Sequence, residues 1–119
     1  MANRARRTGP ALEAMYQFQL WLIPAVEKFP RSQKFLLGDR IQSTSLDVME
    51  RLIEATYNRR RSTQLAAANL GIEKLRFMVR LASELKHFDL RRYEHAVRQL
   101  EEIGRLIGGW RKADDAAQA

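Results

Sequence analysis

Residues 67–85 read A-A-N-L-G-I-E-K-L-R-F-M-V-R-L-A-S-E-L. Wound at 3.6 residues per turn, Ala67, Gly71, Leu75, Met78, Leu81, Ala82 and Leu85 fall on one side. Asn69, Glu73, Arg76, Arg80, Ser83 and His87 fall on the other. The spacing predicts an amphipathic helix with one buried stripe and two arginines a turn apart on its wet face. Lys74 borders the stripe, where its long stem lets the amine reach water.

The rest of the chain divides around that helix. Gly9-Pro10 opens a first helix, with proline at its first position and Glu13 in its first turn. Leu12, Met15, Tyr16, Gln19, Leu22, Ile23 and Val26 read as its core stripe. Ala14, Phe18, Trp21 and Ala25 form a second apolar row, and Pro24 is expected to kink the helix near its end. A helix apolar on two sides must be covered on two sides, and four helices offer no central position. Phe18 and Trp21 are therefore expected at a contact with another subunit.

Phe29-Pro30-Arg31-Ser32 reads as a turn with Ser32 capping a second helix, in which Leu37, Ile41, Val48, Leu52 and Ala55 point inward. Arg40, Asp47, Glu50, Arg51 and Glu54 point out, with Asp47 and Arg51 at a favourable i,i+4 spacing. Asn58 to Ser62 is a short basic connection, with Ser62 expected to cap the third helix and Asp89 the fourth. That fourth helix buries Tyr93, Ala96, Val97, Leu100, Ile103, Gly104 and Ile107, flanked by Leu90 and Trp110. Gly71 and Gly104 are expected where two helix backbones approach closely.

No segment alternates with period two and no internal repeat exists. The expected fold is all-α, an antiparallel up-and-down four-helix bundle with short connections. Residues 1–9 read as a basic disordered tail, 10–112 as the bundle (helices about 10–28, 32–58, 62–87 and 89–112), and 113–119 as a flexible tail. At 119 residues, one domain with a real core is expected.

Charge narrows the function. The net charge is +7, a balance suited to polyanions. Residues 59–112 hold 13 Lys/Arg against 6 Asp/Glu, so the second half carries nearly all of the positive field. On the fourth helix Arg91, Arg98, Arg105 and Lys112 recur every seven residues, a spacing that drifts by only about 20° per repeat and so makes one continuous row. With Arg76 and Arg80 on the neighbouring helix and Arg59 to Arg61 at its start, these cations suit phosphates rather than base edges. An acidic protein surface or anionic lipid would meet the same charges. The aromatic residues nearby are mostly inward, so base stacking gains little support.

Other classes of function fare worse. There is no cysteine, which removes disulfides and thiolate metal sites and makes a cytoplasmic setting the default. The apolar run Leu20 to Val26 is far short of the roughly 20 residues that a bilayer span needs. Arg4, Arg6 and Arg7 resemble the start of a signal peptide, but Gln17 and Gln19 interrupt the apolar stretch and no small-x-small cleavage site follows. Glu84-x-x-His87 has the spacing used by di-metal bundles, which need two such pairs and two further glutamates in the core. No metal, cofactor or catalytic residue is expected, and the chain does not read as an enzyme.

Three segments together carry a family resemblance. They are F-P-R-S-Q-K-F-L-L-G-D-R-I at 29–41, A-N-L-G-I-E-K-L-R-F-M-V-R-L at 68–81, and E-I-G-R-L-I-G-G-W at 102–110. In this order they resemble the accessory variability determinant (Avd) of diversity-generating retroelements, over roughly residues 10–112. They also resemble the wider four-helix-bundle family that includes the intervening-sequence proteins of bacterial large ribosomal RNA genes. L-R-F-x-x-R followed by G-R-x-x-G-x-W is the most specific part. The resemblance implies a protomer of a basic, barrel-shaped homopentamer that associates with the element's reverse transcriptase, binds RNA and cDNA, and supports mutagenic retrohoming. It places Arg76, Arg80 and Arg105 at matching positions, whereas the acidic end after Lys112 and the Arg4–Arg7 arm lie outside the pattern. The competing expectation is a protein-interaction scaffold without direct nucleic-acid binding.

Overall fold

A computed structural model describes residues 9–118. Four long helices and no strand occur among the described residues: α1 (Pro10–Glu27), α2 (Asp39–Tyr57), α3 (Ser62–Glu84) and α4 (Leu90–Gln118). Each packs on its neighbour in the chain, and α4 closes back on α1, leaving α1 and α3 across the diagonal. The result is an elongated four-helix bundle, 47 × 27 × 21 Å. The expected tail over residues 1–9 falls, except for Gly9, outside the described residues.

Local chemistry sets the helix ends. Gly9 adopts φ 84°, a left-handed conformation that glycine takes without strain, and Pro10 follows as the first helical residue. The helix runs on through Pro24 to Glu27. Ser32 does not cap the second helix: Pro30 does, followed by a helical turn Arg31–Gln33 and five π-helical residues, Lys34–Gly38, which lead without a break into α2. Ser62 likewise sits inside α3, with Arg61 at the cap position. Asp89 does cap α4, its carboxylate accepting the Arg92 N–H at 2.8 Å. At the end of α3, Lys86 turns the chain with φ 68°.

The core corrects the phase of two helices. On α1 the buried residues are Ala11, Leu12, Met15, Phe18, Gln19, Leu22, Ala25 and Val26. Phe18 is 0% exposed, so this ring belongs to the core of its own bundle and is not a subunit-contact residue. Trp21 is half-buried against that core, while Tyr16, Leu20 and Ile23 are exposed. The decisive spacing is Ala11, Met15, Phe18, Leu22 and Ala25, which alternates steps of four and three as a bundle seam does. On α3 the core residues are Leu65, Ala68, Gly71, Ile72, Leu75, Val79 and Ala82, and Leu81 and Leu85 lie outside. Leu65, Ile72 and Val79, seven apart, mark the true inner line.

Two contacts lock the register. Buried Ser45 donates its hydroxyl to Gln19 Oε1 at 2.5 Å, joining α2 to α1. A Cβ built on Gly71 would stand 2.3 Å from Val48 Cγ2, so this glycine lets α2 and α3 close on each other. Val48 is β-branched and buried, with little rotamer freedom to yield. Gly71→Ala should therefore destabilise the bundle by about 1–3 kcal/mol despite alanine's better helix propensity. The double variant Gly71→Ala/Val48→Ala should recover part of that loss, as chemical denaturation of the pair will read out.

The last helix extends beyond its expected end. Gly108-Gly109 does not stop it, and α4 continues to Gln118 in place of a loose tail after residue 112. Ile107, Trp110 and Asp114 follow one another down its inner side, and three good helix formers, Ala113, Ala116 and Ala117, sustain the final turns. Arg61 lies over the Trp110 ring at 5.7 Å and pairs with Asp114 at 3.7 Å. One cation of the basic connection is thus held within the fold. No helix of the described residues is long and apolar enough to cross a membrane.

Candidate nucleic-acid interface

The outward side of α4 follows from its core line. Ala96, Leu100, Ile103 and Ile107 are buried, and at 100° per residue Arg91, Arg98, Arg105 and Lys112 project from roughly the opposite side. All four are exposed. Arg76 and Arg80 of α3 are exposed too, on the flank that faces α4. Together with Glu73, Phe77, Tyr93 and Val97 they line a cleft of about 280 Å³ between the two helices. A Cβ on Gly104 would stand 3.4 Å from Arg76 Nη2. That is ordinary contact with the end of a flexible side chain, so Gly104 faces a guanidinium of α3 and not, as the sequence suggested, a closely approaching backbone.

The six cations are not equivalent. Arg76 pairs with Glu73 at 3.6 Å, Arg80 with Glu84 at 3.4 Å, and Arg105 with Glu102. Each pair lies within one helix and is exposed, so solvent screens it and an incoming anion displaces it at little cost. Arg91, Arg98 and Lys112 have no carboxylate partner among the described residues. On α2, Arg51 pairs with Glu54, three residues on, in place of the expected Asp47.

Arg91 and Arg98 open onto the other flank of α4. With Trp21, Asp89, Arg92 and His95 they line a cleft of about 450 Å³ between α1 and α4. The α4 row therefore forms a ridge with a cleft on either side, rather than one sheet of charge shared with Arg76 and Arg80. Trp21 is held there by stacking against Phe88, at 6.1 Å between centroids, and by the tilted ring of His95, at 4.7 Å. A partly buried indole beside two uncompensated guanidiniums was missed in the sequence, because Trp21 and Arg98 are distant in the chain and Trp21 read as an outer apolar residue.

Large apolar side chains outside the core make up a second kind of surface. Leu70, Phe77 and Leu81 form an outward row on α3, with Phe77 68% exposed. Leu70 and Phe77 also border a groove of about 1000 Å³ between α2 and α3, which they line with Ile53, Met78 and several charged residues. Across the diagonal, Tyr16, Leu20 and Ile23 form a shorter row on α1. These two rows expose apolar surface and Phe18 does not; Phe35, Leu36, Tyr57 and Leu90 are exposed elsewhere.

Compared with known proteins, residues 11–113 match the model of a family described as bAvd-like. No curated protein matches the chain.

Proposed function

The chain belongs to the bAvd-like family of Avd-type proteins, and from that premise we propose that it is a non-catalytic, cytoplasmic accessory protein of a diversity-generating retroelement. It binds template RNA or cDNA along the α4 ridge, through Arg91, Arg98, Arg105 and Lys112 with Arg76 and Arg80 beside it. It docks the element's reverse transcriptase and so supports mutagenic retrohoming. The observation that carries this reading is the exposed row of cations on the outer side of α4, three of the six without an internal counterion.

Copies of the chain assemble into a homopentamer through their apolar rows. Leu70, Phe77 and Leu81 of one copy meet Tyr16, Leu20 and Ile23 of the next. Two different surfaces on diagonal helices make a head-to-tail contact, the kind that closes into a ring.

A salt titration of binding to random-sequence RNA tests the nucleic-acid part. About six phosphate contacts on a single strand give a slope near −4 in log K against log salt, because each contact releases condensed counterions. Alanine at Arg91, Arg98, Arg105 and Lys112 should flatten that slope by about 3. A flat titration of the native protein, with reverse-transcriptase binding intact, would leave the protein-interaction scaffold as the correct reading.

A further inference from the structure

We propose that the cleft between α1 and α4 is a seat for a single phosphate group, with Arg91 and Arg98 as its ligands and Trp21 and His95 as its wall. The inference deepens the nucleic-acid reading and rests on it for the source of the phosphate. Three observations converge on this cleft.

The first is charge. Its lining carries Arg91, Arg92 and Arg98 against one carboxylate, Asp89. That carboxylate is already engaged, by the Arg92 guanidinium at 3.0 Å and by the Arg92 backbone N–H at 2.8 Å. What remains is two guanidiniums with no counterion among the described residues, enough positive charge to hold a phosphate group. Guanidiniums recognise phosphate oxygens through paired N–H donors, at short distance and with high strength.

The second is position. Arg91 and Arg92 stand in the first turn of α4, and no acidic residue of that turn offsets them. Cations there oppose the helix dipole, which is positive at this end. Asp89, as the cap, offsets part of that field, and a bound anion would offset more. The arrangement is poor for an isolated helix start and good for one that receives an anion.

The third is enclosure. A cavity of about 450 Å³ is within the range of small-ligand sites and large enough for one nucleotide. Trp21 and His95 supply a firm aromatic wall, because Trp21 is fixed between Phe18, Phe88 and His95. On the opposite flank Arg76 and Arg80 are already paired with Glu73 and Glu84, neither stands in a helix's first turn, and their cleft is smaller, about 280 Å³. Phosphate bound between α1 and α4 would anchor one nucleotide of a strand that otherwise runs along the ridge. The phosphate is either an internal diester or a terminal monoester.

The full chain carrying Trp110→Phe leaves Trp21 as its one tryptophan and hence its one indole reporter. Its emission should respond to inorganic phosphate and, at lower concentration, to ribose 5-phosphate. Arg91→Ala/Arg98→Ala should weaken that response by about tenfold per guanidinium removed, whereas Arg76→Ala/Arg80→Ala should leave it unchanged. Asp89→Asn keeps a good helix cap and removes the one carboxylate, so it should tighten phosphate binding by a few-fold. Competition by short RNAs with a 5′-phosphate or a 5′-hydroxyl then identifies the source: only the first displaces phosphate if the seat takes an end, and both do if it takes an internal diester.

A Trp21 signal indifferent to phosphate, while RNA still binds with a steep salt slope, overturns the seat and leaves the ridge. Equal losses from the two arginine pairs overturn it as well. A response to phosphate and ribose phosphate without binding of long RNA supports the seat and removes the nucleic-acid reading instead.

Discussion

Replacing Phe18 with alanine should lower the unfolding free energy by about 3–5 kcal/mol, the cost of emptying a sealed aromatic site. That is a large share of the roughly 5–15 kcal/mol that holds a domain of ordinary stability together. The expectation follows from its 0% exposure and from its place between Met15 and Leu22 on the buried line of α1. The drop should be the same at low and high protein concentration, because the lost contacts lie within one chain. The folded fraction should keep its assembled mass in light scattering. A contact residue would give the converse: a smaller particle with the bundle's own stability unchanged. The variant therefore decides between a core role and an interface role for a residue whose sequence position allows both.

That ambiguity has a physical origin. α1 carries apolar residues on most of its circumference, so a helical wheel yields several stripes of similar quality and no polar side to fix the phase. Only the partners choose. Ser45 on α2 bonds Gln19 and turns that face inward, and Phe29 and Phe88 close over the end where Phe18 and Trp21 lie. On α4 the charged row and the apolar line oppose each other cleanly, and there the sequence reading and the structure agree on Ala96, Leu100, Ile103 and Ile107. The helix count and the short connections were legible for the same reason, since they depend on local pattern alone. The extension to Gln118 was not, because Gly108-Gly109 looks like a stop unless the inward contacts of Trp110 and Asp114 are known.

The candidate interface was legible in its residues and not in their grouping. All six cations are exposed, the four on α4 opposite its core line and Arg76 and Arg80 on the flank of α3. The internal pairs Arg76–Glu73, Arg80–Glu84 and Arg105–Glu102 could have been read from i,i+3 and i,i+4 spacing. The same spacing also offers Glu94 to Arg91, Glu94, Glu101 and Glu102 to Arg98, and Asp115 to Lys112, so only the structure distinguishes those three as uncompensated. That Arg91 and Arg98 share a cleft with Trp21 could not be read, because it depends on how α1 and α4 pack.

Phe77→Glu is expected to do the opposite of the Phe18 variant: it should dissolve the assembly and spare the fold. Phe77 has most of its surface in water and touches little of its own core, so the substitution should change the stability of one bundle by no more than about 0.5 kcal/mol. Between copies the balance is different. Covering a phenylalanine against an apolar row stabilises by about 1.5–3 kcal/mol, and a carboxylate there must instead be desolvated without a partner, which costs several kcal/mol more. In the proposed ring every subunit presents the same row, so one substitution acts at each contact. Scattering should therefore fall toward the 13.8 kDa of a single chain, with the helical signal of the native protein retained. Leu20→Glu, on the facing row of α1, should give the same result alone, and mixing the two variants should yield heterodimers but no rings, since one pair of intact rows can meet while a ring needs both rows intact on every subunit. Assembly unchanged in both variants would show that these rows meet some other partner, and that the copies, if they associate at all, do so through a different face.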